Sequence, residues 1–345
     1  MRILLIMDPL IPVPPRHYGG IERVVADLTN ELVHRGHSVT LWAAPGSQTD
    51  GATEPFGNEG EWTIWSNARN TMVVTARFLR RSHSYDVVHN FGRLAYLTTI
   101  LSRDLPKVQT YMRRVNPQNM RRATTLGARR LHYTAVSAAI RDTGTPGGGN
   151  WSVIYNCASP EKYTCRTDVD ARTAPLVFLG RLERCKGAHT AIEVARRLKR
   201  QLILAGNVSP LPEEREYFEK EIEPAIGREL VTYVGPVDDR QKNDLLGRAA
   251  ALLLPIEWEE PFPVVLPEAL LCGTPVVAFR RGGVPEGVDE GLTGFVCDTV
   301  EQMMTAVCRV GEVDRAACRT VAERRFSRQA IVDEYEQLYL RLRAS

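Results

Sequence analysis

The sequence predicts an α/β protein built from two doubly wound domains. Short β-branched runs alternate with longer amphipathic stretches, which is the pattern of βαβ units and parallel sheets. A glycine-rich segment, TPGGGN at 145–150, interrupts this alternation, which then repeats in the second half. At 345 residues the chain is also long enough for two domains of ordinary size.

The first half contains one clear helix and several strands. Apolar residues recur at helical spacing between residues 20 and 33, and Gly36 lies where a left-handed residue commonly follows a helix. The runs predicted to be strands are RILLIM, HSVTLWAA, YDVVHN, KVQTY, YTAVS and WSVIYN.

The second half repeats the pattern and ends in a helix. Its predicted strands are PLVFLG, QLILAG, VTYVG, AALLLPI and TPVVAF, and GAHTAIEVARRL is predicted to be a helix. The last stretch, SRQAIVDEYEQLYLRLRA, has the pattern of a closing amphipathic helix. We therefore predict domains at 1–152 and 153–325, and a C-terminal helix at 326–345 that packs back toward the first domain.

Composition narrows the class of protein. The hydrophobic fraction of 43% and the charged fraction of 25% are those of a folded globular chain. No apolar run reaches about 18 residues, and Asp8 interrupts the short N-terminal run, so neither a spanning helix nor a signal peptide is predicted. The seven cysteines include no C-x-x-C pair, and the histidines lack metal-ligand spacing. We expect a reduced cytoplasmic protein with no metal, no cofactor and no nucleic-acid partner.

Charge is distributed unevenly along the chain. Residues 1–155 contain 18 Lys and Arg against 11 Asp and Glu, whereas the remainder contains 26 against 30. Six of the arginines lie between Arg113 and Arg130. These arginines fit a solvated helical face, and the alternative is a surface for an anionic acceptor or for peripheral contact with the inner face of a membrane.

Two glycine-bounded loops are candidates for phosphate binding, because ligands of doubly wound domains bind at the carboxyl ends of the strands. Arg181 and Lys186 lie in the loop GRLERCKG, where two cations beside a helix start suit a diphosphate, although an ordinary charged turn fits as well. Gly19 and Gly20, in the motif YGG, would let a backbone approach a phosphate closely. The G-x-G-x-x-G of dinucleotide binders is absent there, which argues against an NAD or FAD enzyme.

The segment EEPFPVVLPEALLCG at 259–273 places two carboxylates eight residues apart. Pro267 is predicted to begin a short helix that ends at Gly273, so that Glu268 lies in its first turn. Glu268 there is either a partner of the helix dipole or an acceptor for both hydroxyls of a ribose. Glu260, in the preceding loop, could reach the hydroxyls of a sugar.

Together these segments resemble a known enzyme family. GRLERCKG, EEPFPVVLPEALLCGTPVVA and GGVPEGVDEGLTGFVCD resemble the family 4 retaining glycosyltransferases of the GT-B fold, and YGGIERVVADLTNELVHRGHSVTLWA is similar to the start of that family. The resemblance extends from about residue 1 to about residue 340. It implies two Rossmann-like domains facing a central cleft. It also implies metal-independent transfer of a hexosyl group from a nucleotide-diphosphate sugar to a natural product, a glycolipid or a polysaccharide.

The resemblance implies roles for individual residues. Arg181 and Lys186 would neutralise the diphosphate of the donor and stabilise the leaving group in place of a metal. Glu260 would hold the donor sugar and Glu268 the ribose. Further donor contacts are implied for Gly19, Gly20, Gly235, Val237, Val264 and Val265.

Three departures from the family pattern keep other functions open. Met112 stands where the family usually has a histidine close to the reacting sugar, and Arg113 or Arg114 is a candidate to occupy that space. His89 matches the first histidine of the family's D-V-V-H-x-H pattern, but Phe91 replaces the second. A structural and a substrate-side role for His89 both remain open.

The third departure is Pro263, which stands where the family has a glycine and removes one backbone N–H near the phosphates. Loss of catalysis would leave a nucleotide-diphosphate-binding protein of the same fold. A GT-B epimerase would need a second acid/base group beside Glu260, and a phosphorylase would need a pyridoxal lysine motif that the sequence lacks. A monomer and a homodimer are both compatible with the sequence.

Overall fold

The structure, a computed structural model, describes residues 1–15, 19–227 and 230–344. It divides the chain into two compact units: unit 1 is Met1–Asn156 with Arg328–Ser345, and unit 2 is Cys157–Ser327. The first division follows residue 156 rather than 152, and the second follows residue 327 rather than 325. The C-terminal segment therefore belongs to the same unit as the N-terminus.

Unit 1 is built on a parallel sheet of seven strands within the described residues. The strands are β1 (Arg2–Ile6), β2 (Ser38–Ala43), β3 (Ala52–Pro55), β4 (Val87–Asn90), β5 (Lys107–Tyr111), β6 (Leu131–Ala135) and β7 (Asn150–Val153). The helices are α1 (Gly20–His34), α2 (Ile64–Arg81), α3 (Pro117–Thr125), α4 (Ala138–Gly144) and the last helix of the chain, α11 (Arg328–Ala344). The spatial order of the strands is β3-β2-β1-β4-β5-β6-β7.

Unit 2 contains a second parallel sheet, of six strands in the described part of the chain. Its strands are β8 (Leu176–Leu179), β9 (Leu202–Ala205), β10 (Val231–Tyr233), β11 (Ala251–Leu254), β12 (Val276–Phe279) and β13 (Gly294–Cys297). Its helices are α5 (Ala188–Leu198), α6 (Pro212–Tyr217), α7 (Asp239–Arg248), α8 (Val265–Leu271), α9 (Val300–Arg309) and α10 (Arg315–Phe326). The spatial order is β10-β9-β8-β11-β12-β13.

Both sheets reverse their strand order at one point, which confirms the predicted doubly wound architecture. The reversal lies between β1 and β4 in unit 1, and between β8 and β11 in unit 2. At such a switch point the two adjacent connections leave on opposite faces, which opens a crevice at the carboxyl ends of the strands. The loops after β8 and β11 are therefore the first place to look for a site in unit 2.

Contacts along α11 explain why the C-terminal segment packs with unit 1. Arg35, after α1, forms ion pairs with Asp333 and Glu336 at 2.5 and 3.0 Å. Tyr339 is fully buried, and its hydroxyl lies 2.5 Å from Nδ1 of His89 at the centre of the sheet. Both the polar face and the buried face of α11 thus form hydrogen bonds or ion pairs with the rest of unit 1.

The predicted start of α8 is wrong. The helix begins at Val265, two residues before Pro267, so Glu268 is its fourth residue. Proline is compatible with this position because the first N–H groups of a helix have no intrahelical acceptor. The helix ends at Leu271, two residues before the predicted Gly273, which follows the C-cap Cys272 with a φ of 76°.

Two further findings concern cysteines and membrane spans. All seven cysteines lie within the described residues, and none of them forms a disulfide. No helix in the described ranges is both long enough and apolar enough to cross a bilayer.

Candidate active site

Two loops meet closely at the switch point of unit 2. Gly187 ends the loop after β8 with a φ of 77°, and a Cβ on it would lie 1.9 Å from the carbonyl oxygen of Pro255, which follows β11. Only glycine fits such an approach, because it lacks a Cβ and adopts positive φ at low cost. The glycine therefore lets the loop that contains Lys186 pack directly against the loop that contains Glu260.

Lys186 and Glu260 form an ion pair across this switch point. Nζ of Lys186 donates to Oε2 of Glu260 at 2.5 Å, and both side chains are largely buried. Trp258 donates its indole N–H to the same oxygen at 2.6 Å. Nζ of Lys186 also lies 5.1 Å from the centre of the Trp258 ring. The lysine ammonium has three N–H donors, and in the described structure one of them bonds to Glu260 and none to another side chain. Two donors therefore remain for a ligand.

The loop after β12 fixes the backbone of Glu260. Gly283 donates its N–H to the carbonyl oxygen of Glu260 at 2.8 Å, and Gly282 donates to Oε2 of Glu259 at 2.7 Å. Gly282 has a φ of 53°, and a Cβ there would lie 2.2 Å from the carbonyl oxygen of Glu260. Three consecutive loops of the sheet thus hold this carboxylate in place.

Arg181 lies in the same loop as Lys186. Its Nη1 is 2.6 Å from Oε1 of Glu183, a buried carboxylate of that loop. More than a third of the Arg181 side chain remains exposed. Arg181 and Lys186 are therefore each held in place by a carboxylate.

Glu268 is held by partners from two distant segments. Oε1 of Glu268 accepts from the Tyr163 hydroxyl at 2.8 Å and from Nζ of Lys242 on α7 at 2.5 Å. Burial and the neighbouring Glu268 carboxylate raise the pKa of Tyr163, so its hydroxyl remains a donor at neutral pH. The carboxylate is nearly buried and is fixed before any ligand binds.

Glu260 and Glu268 share one feature. Each uses a single carboxylate oxygen for its protein contacts: Oε2 in Glu260, and Oε1 in Glu268. The other oxygen of each has no hydrogen-bond partner among the described residues. An oriented carboxylate with one free oxygen can accept hydrogen bonds from the hydroxyls of a ligand.

Other residues implied as donor contacts lie at loop positions. The backbone N–H groups of Val264 and Val265, at the start of α8, have no acceptor in the described structure, whereas the neighbouring Pro263 has no N–H. Gly235 and Val237 follow β10 at the edge of the sheet. In unit 1, Gly19 precedes α1 and Gly20 begins it, while Tyr18 of the same motif lies outside the described residues.

Unit 1 contains a cavity of about 510 Å³ at the carboxyl ends of β1, β4 and β5. Its apolar wall includes Phe91, Leu94, Met112 and Val115. Its charged residues are Asp8, Arg93, Arg113, Arg114 and Arg122. The volume is that of a small-molecule site, and four cations face one carboxylate.

Asp8, directly after β1, is the buried carboxylate of this cavity. Its Oδ1 lies 3.7 Å from Nε of Arg93, and its Oδ2 lies 3.9 Å from Nη2 of Arg113. Burial raises the pKa of Asp8, and the two arginines act against that rise. Arg114 and Arg122 are exposed, and no carboxylate of the described structure pairs with them.

Comparison with family models identifies the chain. Residues 18–162 match the model described as Glycosyltransferase Family 4, and residues 167–310 match the model described as Glycosyl transferases group 1. The chain is a family 4 glycosyltransferase. The resemblance inferred from the sequence motifs is thereby confirmed, and so is the GT-B fold with its two Rossmann-like units.

Relatives of this glycosyltransferase span almost its whole length. It is 27% identical over 390 aligned positions to glycogen synthase of Mycobacterium tuberculosis, covering 97% of this chain and 91% of that protein. The crystal structure of AviGT4, a glycosyltransferase involved in avilamycin A biosynthesis, matches with a TM-score of 0.73 and 27% identity, covering 100% of this chain and 98% of that one. Sucrose-phosphate synthase of Thermosynechococcus elongatus has a TM-score of 0.80 at 20% identity, covering 99% of each chain.

The structure of the glycosyltransferase favours the structural role for His89. The imidazole is fully buried, and its nitrogens lie 2.5 Å from the Tyr339 hydroxyl and 2.6 Å from the Thr110 hydroxyl. Burial lowers its pKa well below the usual value, so the ring stays neutral. Phe91, which replaces the second histidine of the motif, packs with its ring centre 4.0 Å from that of His89. Neither nitrogen is available to a substrate.

Met112 and Arg113 do lie at the cavity of unit 1, beside Asp8 and Arg93. The sequence motifs indicated Met112 and Arg113, but they did not indicate Asp8 and Arg93. Asp8 has one signal that could have found it, since it directly follows the first strand of a doubly wound domain. Trp258, Lys242 and Tyr163 have no comparable signal, because their part in the site depends on tertiary contacts.

Proposed function

We propose that this glycosyltransferase moves a hexosyl group from a nucleotide-diphosphate sugar to an acceptor, with retention at the anomeric carbon and without a metal. The observation that carries the proposal is the Lys186–Glu260 pair at the switch point of unit 2. Doubly wound domains bind their ligands at this place. A cation can bind the phosphate end of a ligand, and an oriented carboxylate beside it can bind hydroxyl groups at the other end.

Arg181 and Lys186, in the loop after β8, account for the diphosphate end of the donor. Lys186 has two N–H donors left after its bond to Glu260, and more than a third of the Arg181 side chain is exposed. Both can bond to phosphate oxygens while their carboxylate partners keep them in position. In the transition state they would stabilise the charge that develops on the leaving diphosphate, which is the task a metal performs in other enzymes.

The two carboxylates account for the hydroxyl groups of the donor. The free Oε1 of Glu260 would accept from the sugar, and the free Oε2 of Glu268 would accept from the ribose. The acceptor oxygen would bond to the anomeric carbon on the face from which the diphosphate leaves. A phosphate oxygen of the leaving group would take the acceptor proton, so the step needs no further base.

The cavity of unit 1 suggests the chemistry of the acceptor. Its apolar wall and its four arginines suit a molecule with an anionic group, such as a phosphate or a carboxylate, attached to an apolar or sugar body. Natural-product, lipid-linked and glycan acceptors that carry such a group all remain candidates.

A pair of arginine variants tests this acceptor class. Arg122→Gln is expected to raise the KM for an anionic acceptor about tenfold, by loss of one charge-assisted hydrogen bond. Arg129→Gln is the matched control, because Arg129 is exposed in the same basic stretch but does not line the cavity. If the two variants have equal KM values for an anionic acceptor, and equal KM values for a neutral one, the acceptor does not need an anionic group.

Thermal stabilisation by nucleotides tests the proposed donor. The purified chain is heated with UDP, GDP, ADP or dTDP and with their common sugars, in the presence and absence of EDTA. A ligand at about 100 times its Kd adds roughly 2.7 kcal/mol to the free energy of unfolding, so one nucleotide is expected to raise the Tm with or without EDTA.

Each outcome of that experiment has a clear meaning. A shift followed by sugar transfer to an anionic acceptor supports the proposal, and the anomeric configuration of the product tests retention. A shift with no turnover on any acceptor would favour the nucleotide-binding protein without catalysis, and a gain of donor hydrolysis in Met112→His would then identify the cause. Absence of a shift with every nucleotide would overturn the proposed donor.

A further inference from the structure

One face of helix α2 is buried on the core of unit 1. Ser66, Asn70, Val74 and Phe78 recur every four residues and are buried. Val74 and Phe78 belong to the core cluster that contains Trp42. This face attaches the helix to the core of unit 1.

The opposite face of α2 contains large apolar side chains that are exposed. Trp65, Met72 and Leu79 recur every seven residues, which is about two turns, and their exposed fractions are 84%, 64% and 64%. Ile64, at the start of the helix, is 84% exposed as well. A row of large apolar side chains in water is unusual on a protein surface and marks a site of interaction.

The charge of α2 is of one sign. The helix contains four arginines and no acidic residue. Arg80 has no partner in the described structure, while Arg69 pairs with Glu61 at 2.6 Å and Arg81 with Glu54 at 2.5 Å. Unit 1 as a whole contains 21 Lys and Arg against 14 Asp and Glu.

We propose that the exposed face of α2 docks on an anionic lipid bilayer, with the helix lying in the plane of the interface. Exposed tryptophan and aliphatic side chains, flanked by arginines and without acidic residues, have the chemistry of an interfacial helix. The arginines complement anionic headgroups, whereas a second copy of this face would bring like charges together. The apolar row is too narrow for a spanning helix, in agreement with the absence of one from the described residues.

This surface adjoins the cavity of unit 1. Trp62, just before α2, is 55% exposed and lines the cavity, and the guanidinium carbon of Arg93 lies 4.4 Å from the centre of its ring. Docking would therefore bring the cavity to the membrane surface. This inference rests on the proposed function and extends it, because the enzyme would meet the anionic group of its acceptor at the bilayer surface.

Flotation of the full chain with vesicles tests the apolar part of the surface. Vesicles of phosphatidylcholine alone are compared with vesicles of phosphatidylcholine and phosphatidylglycerol, and binding is expected only to the anionic ones. Leu79→Gln and Trp65→Gln are each expected to weaken that binding about tenfold, by loss of inserted apolar surface. Leu211→Gln is the matched control, because Leu211 is 51% exposed on unit 2 and should leave binding unchanged.

A second pair of variants tests the charge. Arg80→Gln is expected to weaken binding about fivefold, the effect of one arginine near an anionic surface. Arg324→Gln, which removes an exposed arginine of unit 2 with no ion-pair partner among the described residues, should have no effect. Rising salt should weaken binding of the wild-type chain and narrow the difference between the two variants.

Several outcomes would overturn the proposal. One is equal binding to neutral and anionic vesicles, and another is equal loss in Leu79→Gln and Leu211→Gln. A chain that is dimeric without lipid, becomes monomeric in Leu79→Gln and ignores vesicles would show that this face binds a second copy. Circular dichroism of each variant checks that the fold is intact. Because vesicle binding needs neither donor nor acceptor, its failure is distinguishable from a failure of nucleotide stabilisation.

Discussion

Lys186→Met is expected to lower kcat/KM for sugar transfer by about 100- to 1,000-fold. Nζ of Lys186 lies 2.5 Å from Glu260, in the crevice where the diphosphate is proposed to bind. Its charge would be most valuable when the leaving group develops negative charge, and loss of one such preorganised donor typically costs that factor. The measurement is the initial rate with the nucleotide sugar identified by thermal stabilisation. Lys220→Met is the control, because Lys220 is an exposed lysine of the same unit.

Stability has to be separated from chemistry in this experiment. Lys186→Met leaves the largely buried Glu260 carboxylate with only the Trp258 indole as a partner among the described residues, and an unpaired buried charge costs about 3–5 kcal/mol. The double variant Lys186→Met with Glu260→Gln removes both charges and is expected to recover most of that free energy of unfolding. Transfer should remain lost in the double variant. Wild-type transfer in stably folded Lys186→Met would contradict the proposed role of the lysine.

The features that the sequence predicts well are local. The loop with Arg181 and Lys186, and the spacing of Glu260 and Glu268, are read directly from consecutive residues. Most strands are short β-branched runs whose burial on both faces makes them continuous in sequence. The architecture follows from the alternation of such runs with one-sided helices.

The failures have physical causes. Two of the four buried residues of helix α2, Ser66 and Asn70, are polar, so the helix lacks the continuous row of apolar residues that predicts a core helix. Strand β3 is only ATEP, and β13 begins with glycine, so neither has a strong strand pattern. The start of α8 was misplaced because proline is tolerated throughout the first turn, and not at its first residue alone.

The partners of the two carboxylates were beyond sequence analysis for a different reason. Tyr163 and Glu268 are 105 residues apart, and Lys186 and Glu260 are 74 apart. Whether such residues touch depends on strand order, which one sequence does not specify. Once the order is known, the switch point makes the Lys186–Glu260 contact understandable, because it joins the loops of the two strands that flank it.

Gly187→Ala is expected to destabilise unit 2 and to impair donor binding, whereas Gly291→Ala should do much less. Both glycines have a φ between 70° and 80°, so each alanine bears a similar backbone strain of about 1–2 kcal/mol. A Cβ at Gly291 would meet nothing within 4 Å, but at Gly187 it would lie 1.9 Å from the carbonyl oxygen of Pro255. Relief of that clash must push apart the loops after β8 and β11, at a further cost of about 1–3 kcal/mol.

Urea unfolding followed for both variants measures the difference in stability, and the nucleotide-induced shift in Tm measures the site. Gly291→Ala should lower the free energy of unfolding but keep the full nucleotide-induced shift in Tm. Gly187→Ala should lose more stability and also most of the shift, because separation of the loops moves Lys186 away from Glu260. Equal losses in the two variants, with nucleotide binding intact in both, would mean that the close approach of these loops does not position the donor. The contact at Pro255 would then serve only to pack the carboxyl ends of the two central strands, and the Lys186–Glu260 pair would have to be held by the rest of its own loops.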